Sequence, residues 1–303
     1  MLLIVFLIRT IGFGLYQVPT GSMETTMLVG ERFFADKLSY NFRAPKRGEI
    51  ISFNDPEYIY SNNYFKKLFE KYVWGPSNWT KRVIGIPGDV IQGKIENGRP
   101  TVYRNGEKLD EMYLNKYPLI HLFKMDPKEL SEHIKAEIDS AFKGRYADEK
   151  IVNQLIIQKL SMQTTWRSYD ESASFMNQPF YRIYADRIIR DEDNELQLLR
   201  PGTPLPVRNN SKGAIKSGNY WTGGDEFYIE LADDEYWGMG DNREGSKDCR
   251  VFGPIHGEFI HGRILFRIWS IDSDEAWWIF DLIKNPVDFW SRIRWSRFFQ
   301  FLT

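Results

Sequence analysis

Trp79-Thr80-Lys81-Arg82-Val83-Ile84-Gly85-Ile86-Pro87-Gly88-Asp89-Val90-Ile91 reads as strand, turn, strand. β-Branched residues run up to a Pro-Gly-Asp turn and resume beyond it. Two hairpin signals follow, Asn97-Gly98 and Asn105-Gly106, on either side of Thr101-Val102-Tyr103. Upstream, Arg32-Phe33-Phe34-Ala35 and Ile50-Ile51-Ser52-Phe53 are β-prone runs separated by the turn-rich Pro45-Lys46-Arg47-Gly48-Glu49. Strands resume near Phe227. A mainly β fold is expected.

The middle of the chain has a different texture. Asp126-Pro127-Lys128-Glu129 reads as a helix start, with Asp126 as cap, proline in the first turn and glutamate three after the cap. Leu130, Ile134, Ile138 and Phe142 recur every four residues, as on one face of a helix. A second helix is expected near Asp148 to Met162, and Pro201, Pro204 and Pro206 mark a loop. Residues 104–220 therefore read as an inserted α+β cap between two halves of one β core, 19–103 and 221–303. The aromatic loop Tyr58 to Trp79 has no role legible in the sequence.

Residues 1–18 are apolar apart from Arg9 and a few small polar positions. As a helix they would span roughly 27 Å, near the lower limit for crossing a bilayer. No basic residue precedes the run and no Ala-x-Ala exit follows it, so a cleaved signal peptide is disfavoured. A membrane anchor is the preferred reading, with a buried N-terminal helix as the alternative. Of the 303 residues 42% are apolar and 27% charged, which suits a folded protein. A net charge of −1 argues against nucleic acid as a partner. Cys249 is the only cysteine, so no intramolecular disulfide forms.

The candidate chemistry begins at Val18-Pro19-Thr20-Gly21-Ser22-Met23-Glu24, just after the apolar run. A serine hydroxyl is a poor nucleophile without a proton acceptor. None of the four histidines, His121, His133, His256 and His261, stands in a catalytic pattern. Lys81 can serve if it is neutral. Its reference pKa of about 10.4 must then fall by roughly three units, about 4 kcal/mol, which burial among apolar groups supplies. The blander reading of Lys81-Arg82 is a solvated strand face.

A third stretch, Gly240-Asp241-Asn242-Arg243-Glu244-Gly245-Ser246-Lys247-Asp248-Cys249-Arg250, is a polar loop between strand-like runs. Ser246 offers a hydroxyl to orient a lysine amine. Asp248 with Arg250 or Arg82 forms a candidate bidentate pair that fixes the loop.

Together these stretches resemble the bacterial type I signal peptidases, membrane-bound serine peptidases that cut signal peptides from exported proteins. Pro19 to Met23 is similar to the family's nucleophile box, Arg47-Gly48-Glu49-Ile50-Ile51-Ser52-Phe53 to its strand box, Lys81 to Asp89 to its lysine box, and Gly240 to Arg250 to its Gly-Asp-Asn-Arg box. All four stand in family order, and the helical insertion lies outside them. The resemblance implies an antiparallel β catalytic core with Ser22 as nucleophile, Lys81 as general base and Ser246 orienting the lysine. It implies an oxyanion hole from the Ser22 N–H and the Thr20 hydroxyl. Arg82, Asp241, Asn242, Arg243, Asp248 and Arg250 would structure the loop. It further implies preprotein substrates with small residues at −1 and −3, no metal or cofactor, and a catalytic domain on the outer, periplasmic side of the bacterial cytoplasmic membrane. Thr25 departs from the usual proline and Cys249 from the commoner serine. Two other readings stay open: a non-catalytic β-scaffold that binds exported chains at the membrane, and a self-cleaving repressor-type Ser/Lys peptidase. The C-terminal run Trp290 to Phe299 mixes arginine with aromatics and suits either a membrane surface or a last packed element.

Overall fold

Short runs that alternate apolar and polar residues bury one face when extended. In the computed structural model of the chain such runs form antiparallel sheets. The structure describes residues 12–72, 75–123, 127–142, 164–174, 218–273 and 278–302, with shorter stretches between 150 and 199. The chain divides into two compact units, Met1–Asn115 with Pro201–Thr303, and Lys116–Arg200.

The first unit holds two sheets. The larger runs β1 (Phe13–Gln17), β2 (Arg32–Asp36), β15 (Ile260–Trp269), β3 (Ile50–Asn54), β4 (Asn78–Gly85), β13 (Glu235–Met239) and β14 (Ile255–His256), with β16 (Gln300–Phe301) also on β15. The smaller runs β11 (Tyr220–Trp221), β12 (Phe227–Glu230), β5 (Val90–Glu96), β6 (Arg99–Arg104) and β7 (Glu107–Lys108). The Pro87-Gly88-Asp89 turn carries the chain from one sheet to the other. The Asp89 carboxylate holds it by accepting the Ile86 N–H at 3.0 Å and the Arg47 fork at 2.9 and 2.6 Å. Both Asn-Gly pairs make the hairpins expected of them: Asn97 and Gly98, and Asn105 and Gly106, all have positive φ.

One buried cluster joins the two sheets. Ile51, Phe53, Val83 and Ile84 of the larger sheet share it with Ile91, Val102, Phe227 and Ile229 of the smaller. Trp237, fully buried, is its largest member. Each such side chain contributes about 1.5–3 kcal/mol by leaving water. A second cluster, Val18, Met23, Met27, Phe33, Ala35, Ile50 and Ile264, lies under the turn that carries Ser22.

The N-terminal expectation needs correction where it can be seen. Phe13–Gln17 is a strand paired with β2, so a helix over residues 1–18 does not run through it. Gly12 and Gly14 are poor helix formers, and the pairing with β2 satisfies the backbone instead. Residues 1–11 lie outside the described residues. Among the described residues no helix is long and apolar enough to cross a membrane. At the other end Phe289 and Ile293 pack on Ile271, while Trp290, Trp295 and Phe299 remain exposed.

The second unit contains the sheet β10 (Leu198–Leu199), β8 (Leu119–Phe123) and β9 (Thr164–Ser168). Its helix Pro127–Phe142 buries Leu130, Ile134 and Ile138 against Leu155 and Ile156, as the four-residue spacing expects. The Asp126 cap lies outside the described residues. The second helix expected near 148–162 is described only in part, and residues 153–156 are helical.

Candidate active site

After β1 the chain passes Pro19 and closes a single 3-10 turn, Gly21–Met23. Met23 and Met27 plug into the apolar cluster beneath, so the turn is held from below while Ser22 stays half-buried at its apex. Asn242 ties it from the side. Its Nδ2 donates to the Gly21 carbonyl at 2.9 Å and its backbone N–H to the Ser22 carbonyl at 3.2 Å. Gly240 passes so close to this turn that a Cβ there would stand 2.5 Å from the Ser22 carbonyl oxygen and 2.3 Å from Ser246 Oγ. Only glycine fits.

Lys81 comes from the middle of β4, paired with Ile51 on one side and next to Arg82, which pairs with Met239, on the other. Its side chain is buried, and Nζ donates to Ser22 Oγ at 3.3 Å and to the Thr80 carbonyl at 2.9 Å. The Trp79 ring centroid lies 5.6 Å from Nζ. Desolvation lowers the lysine's pKa to about 8, against the opposing pull of Asp248 and Cys249. Thr20, exposed, places Oγ1 3.5 Å from Ser22 Oγ. The arrangement can therefore hold a serine hydroxyl against an amine that loses its proton near neutral pH.

The polar loop is built on two buried arginines. Arg82 meets Asp241 fork to fork, Nε to Oδ1 at 2.9 Å and the terminal nitrogen to Oδ2 at 2.8 Å, and also donates to the Gly48 carbonyl at 2.8 Å. Tyr113 lies under the guanidinium, its ring centroid 4.1 Å away. Arg250 grips Asp248 at 2.8 and 2.9 Å and Asp225 at 2.5 Å. Asp248 takes Arg250 rather than Arg82. Burial pushes the Asp248 carboxyl up, but Arg250 and the Gly240 N–H outweigh it and hold the carboxyl below its ordinary value. Arg243 donates to the Gly240 carbonyl at 3.0 Å and pairs with Glu111. Ser246 is buried beside Gly240, and its hydroxyl makes no hydrogen bond among the described residues.

Several contributors carry no signal in the sequence. Thr26 Oγ1 donates to Asp241 Oδ2 at 2.5 Å. Arg297 and Arg267 reach the same loop, donating to the Thr26 carbonyl at 3.2 and 2.6 Å. Both pair with the buried Glu31. Cys249, fully buried, accepts the Gly238 N–H at 3.1 Å, and desolvation pushes its thiol well up. His256 is exposed, and His261 packs beside Ser52 with its pKa lowered by burial to about 4.

A family model described as signal peptidase, peptidase S26, matches residues 1–269. A probable signal peptidase I-2 of Synechocystis sp. is 34% identical over 37% of this chain and 44% of its own length. Signal peptidase I of Buchnera aphidicola subsp. Baizongia pistaciae is 24% identical over 94% of this chain and 80% of its own. The chain thus spans under half of the first relative and most of the second. A solved signal peptidase I of Enterococcus faecalis V583 aligns at 16% identity and a TM-score of 0.27, over 73% of this chain and 97% of that one.

Proposed function

The chain belongs to the signal peptidase family, peptidase S26, and on that premise we propose that it is a membrane-bound serine endopeptidase removing N-terminal signal peptides from exported preproteins. Ser22 is the nucleophile and Lys81 the general base. The observation that carries this reading is the 3.3 Å contact between a buried amine and the serine hydroxyl. The lowered lysine pKa of about 8 supports it.

Neutral Lys81 takes the Ser22 proton as Oγ attacks the scissile carbonyl. The resulting ammonium then delivers that proton to the leaving amine, and a water attacks the acyl-enzyme by the same route. The Ser22 N–H and the Thr20 hydroxyl receive the oxyanion. Ser246, buried with a hydroxyl that has no hydrogen-bond partner among the described residues, is the group proposed to steady the lysine amine. Arg82, Asp241, Asn242, Arg243, Asp248 and Arg250 keep the loop in register with the nucleophile turn. Small residues at −1 and −3 of the substrate, and a catalytic domain outside the cytoplasmic membrane, follow from the family resemblance.

The test is incubation of the detergent-solubilised chain with a preprotein, beside Ser22→Ala. Cleavage at a single site by the wild type alone is expected, with unchanged thermal unfolding in the variant. A preprotein bound but left intact by the wild type would make the chain a scaffold instead.

A further inference from the structure

The excursion between β3 and β4 contains a helix turned the wrong way round. Its base is closed by Asp55 N–H donating to the Ser77 carbonyl at 2.9 Å. Its near wall is set by Tyr60, which bonds Asn54 at 2.7 Å and stacks on Phe259. The helix Tyr64–Tyr72 then presents Tyr64, Phe65, Leu68 and Phe69 along one stripe, as the spacing i, i+1, i+4, i+5 dictates. That stripe faces outward: Phe65 is 79% exposed, Tyr64 70% and Phe69 53%. Among the described side chains of the helix, the one turned toward the protein is a carboxylate. Glu70 is only 9% exposed and accepts the Ser61 N–H at 2.8 Å. Ile59, 80% exposed, stands on the same excursion.

We propose that the outward stripe of this helix, with Ile59, docks on a bilayer containing anionic lipid. Three features favour that occupant. Exposed Lys66 and Lys67 lie beside the stripe on the helix surface, Lys66 at 4.0 Å from the Glu70 carboxylate, giving the cationic flank that attracts an anionic headgroup layer. The stripe is aromatic, and tyrosine rings sit stably at headgroup depth. The third is topological. Phe13 pairs with Asp36, Asp36 with Arg263, and Ile260 beyond it with Phe53, next to the Asn54–Asn78 pair where the excursion leaves the sheet. Strand β1 therefore begins, at Phe13, at the end of the sheet where the excursion leaves it, and in sequence the wholly apolar run Met1–Ile8 precedes that strand.

This deepens the membrane placement proposed above and rests on it. Cys249 is the sole cysteine and is fully buried, so a Phe65→Cys variant of the full chain takes one environment-sensitive fluorophore selectively. Lys108→Cys, on an exposed strand end, is the comparison. In vesicles of phosphatidylcholine and phosphatidylglycerol the Phe65 label should lose quenching by aqueous iodide and gain quenching by lipid-borne nitroxide, while the Lys108 label does neither. Failure of the whole chain to sediment with vesicles would overturn the membrane placement, and this inference with it. Sedimentation with a Phe65 label still open to iodide would overturn this inference alone. So would protection that appears without lipid on raising the protein concentration, or only on adding a preprotein. Those outcomes would assign the stripe to a second copy or to substrate.

Discussion

Arg82 and Asp241 meet fork to fork although 159 positions separate them, and both side chains are withdrawn from water. Arg82 is the residue after the candidate base, and Asp241 opens the loop whose next residue holds the Ser22 turn. The pair thus ties the strand of Lys81 to the turn of Ser22. Its geometry exhausts both carboxylate oxygens, with Thr26 as an added donor.

Asp241→Asn should therefore be costly. It removes the negative charge that the buried Arg82 fork grips, a loss of about 3–5 kcal/mol. Urea unfolding reads it as a lower midpoint. A double variant, Arg82→Met with Asp241→Leu, should lose less than the sum of the two single changes. Additive losses would mean that the two residues act independently.

Thr20→Val keeps the shape of the side chain and removes only the donor lying 3.5 Å from Ser22 Oγ. A loss of roughly 10²–10³ in kcat is expected, the usual effect of deleting one oxyanion donor. KM should hardly change, and Thr20→Ser should keep most activity. Wild-type turnover in the valine variant would leave the hole to backbone N–H groups.

Lys81 predicts two pH dependences. Only the neutral amine accepts a proton, so kcat/KM should rise with pH through about 8 and level off above it. Lys81→Arg should be inactive, because arginine stays protonated. For stability, folding lowers this pKa from 10.5 to about 8, so between those values the unfolded chain holds the proton more tightly. The cost to the folded state is fully present below about pH 8, fades as pH rises to 10.5, and amounts to about 3 kcal/mol. Lys81→Met should accordingly unfold at higher temperature than wild type at pH 7 and lose that advantage by pH 10.5. A constant difference in Tm across this range would contradict the assignment.

Ser246→Ala separates a positioning role from packing. The hydroxyl is buried without a hydrogen bond among the described residues, so its removal should leave stability unchanged or slightly raised. If it steadies the Lys81 amine during turnover, kcat should fall while KM holds. An alanine variant as fast as wild type would remove Ser246 from the mechanism.

Arg297 lies beyond residue 269, where the family match ends, yet it donates to the Thr25 and Thr26 carbonyls at 3.3 and 3.2 Å and to Glu31 at 2.6 Å. Arg297→Met should destabilise by roughly 1–3 kcal/mol, since Glu31 keeps Arg267 as a partner. With the loop after Ser22 loosened, kcat should drop more than KM rises. Thermal unfolding and steady-state kinetics on the one variant check both.

What was readable in the sequence followed local rules. The Pro87-Gly88-Asp89 turn and both Asn-Gly hairpins need only nearby residues, and the helix Pro127–Phe142 shows its apolar face at a fixed period. The Ser22, Lys81 and Gly240–Arg250 stretches could be singled out by residue type. Pairing could not. Asp241 and Asp248 share one loop, and only the folded sheet decides that the first takes Arg82 and the second Arg250. Arg297 and Thr26 left no trace because their role depends on a contact across the whole chain. The apolar count over residues 1–18 outweighs the two glycines beside Phe13 in a sequence reading, and so hides strand β1.

The hold of Asn242 on the Gly21 carbonyl also has a bearing on biosynthesis. Ser22 and Lys81 leave the ribosome well before the clasp that shapes the nucleophile turn, which is 221 positions downstream of Gly21. Until that part of the chain has emerged and folded back, the nascent protein carries both candidate groups without the clasp that shapes the Ser22 turn. On the proposed function, translation itself therefore acts as a safety catch: the centre stays silent until Asn242 has folded back onto Gly21.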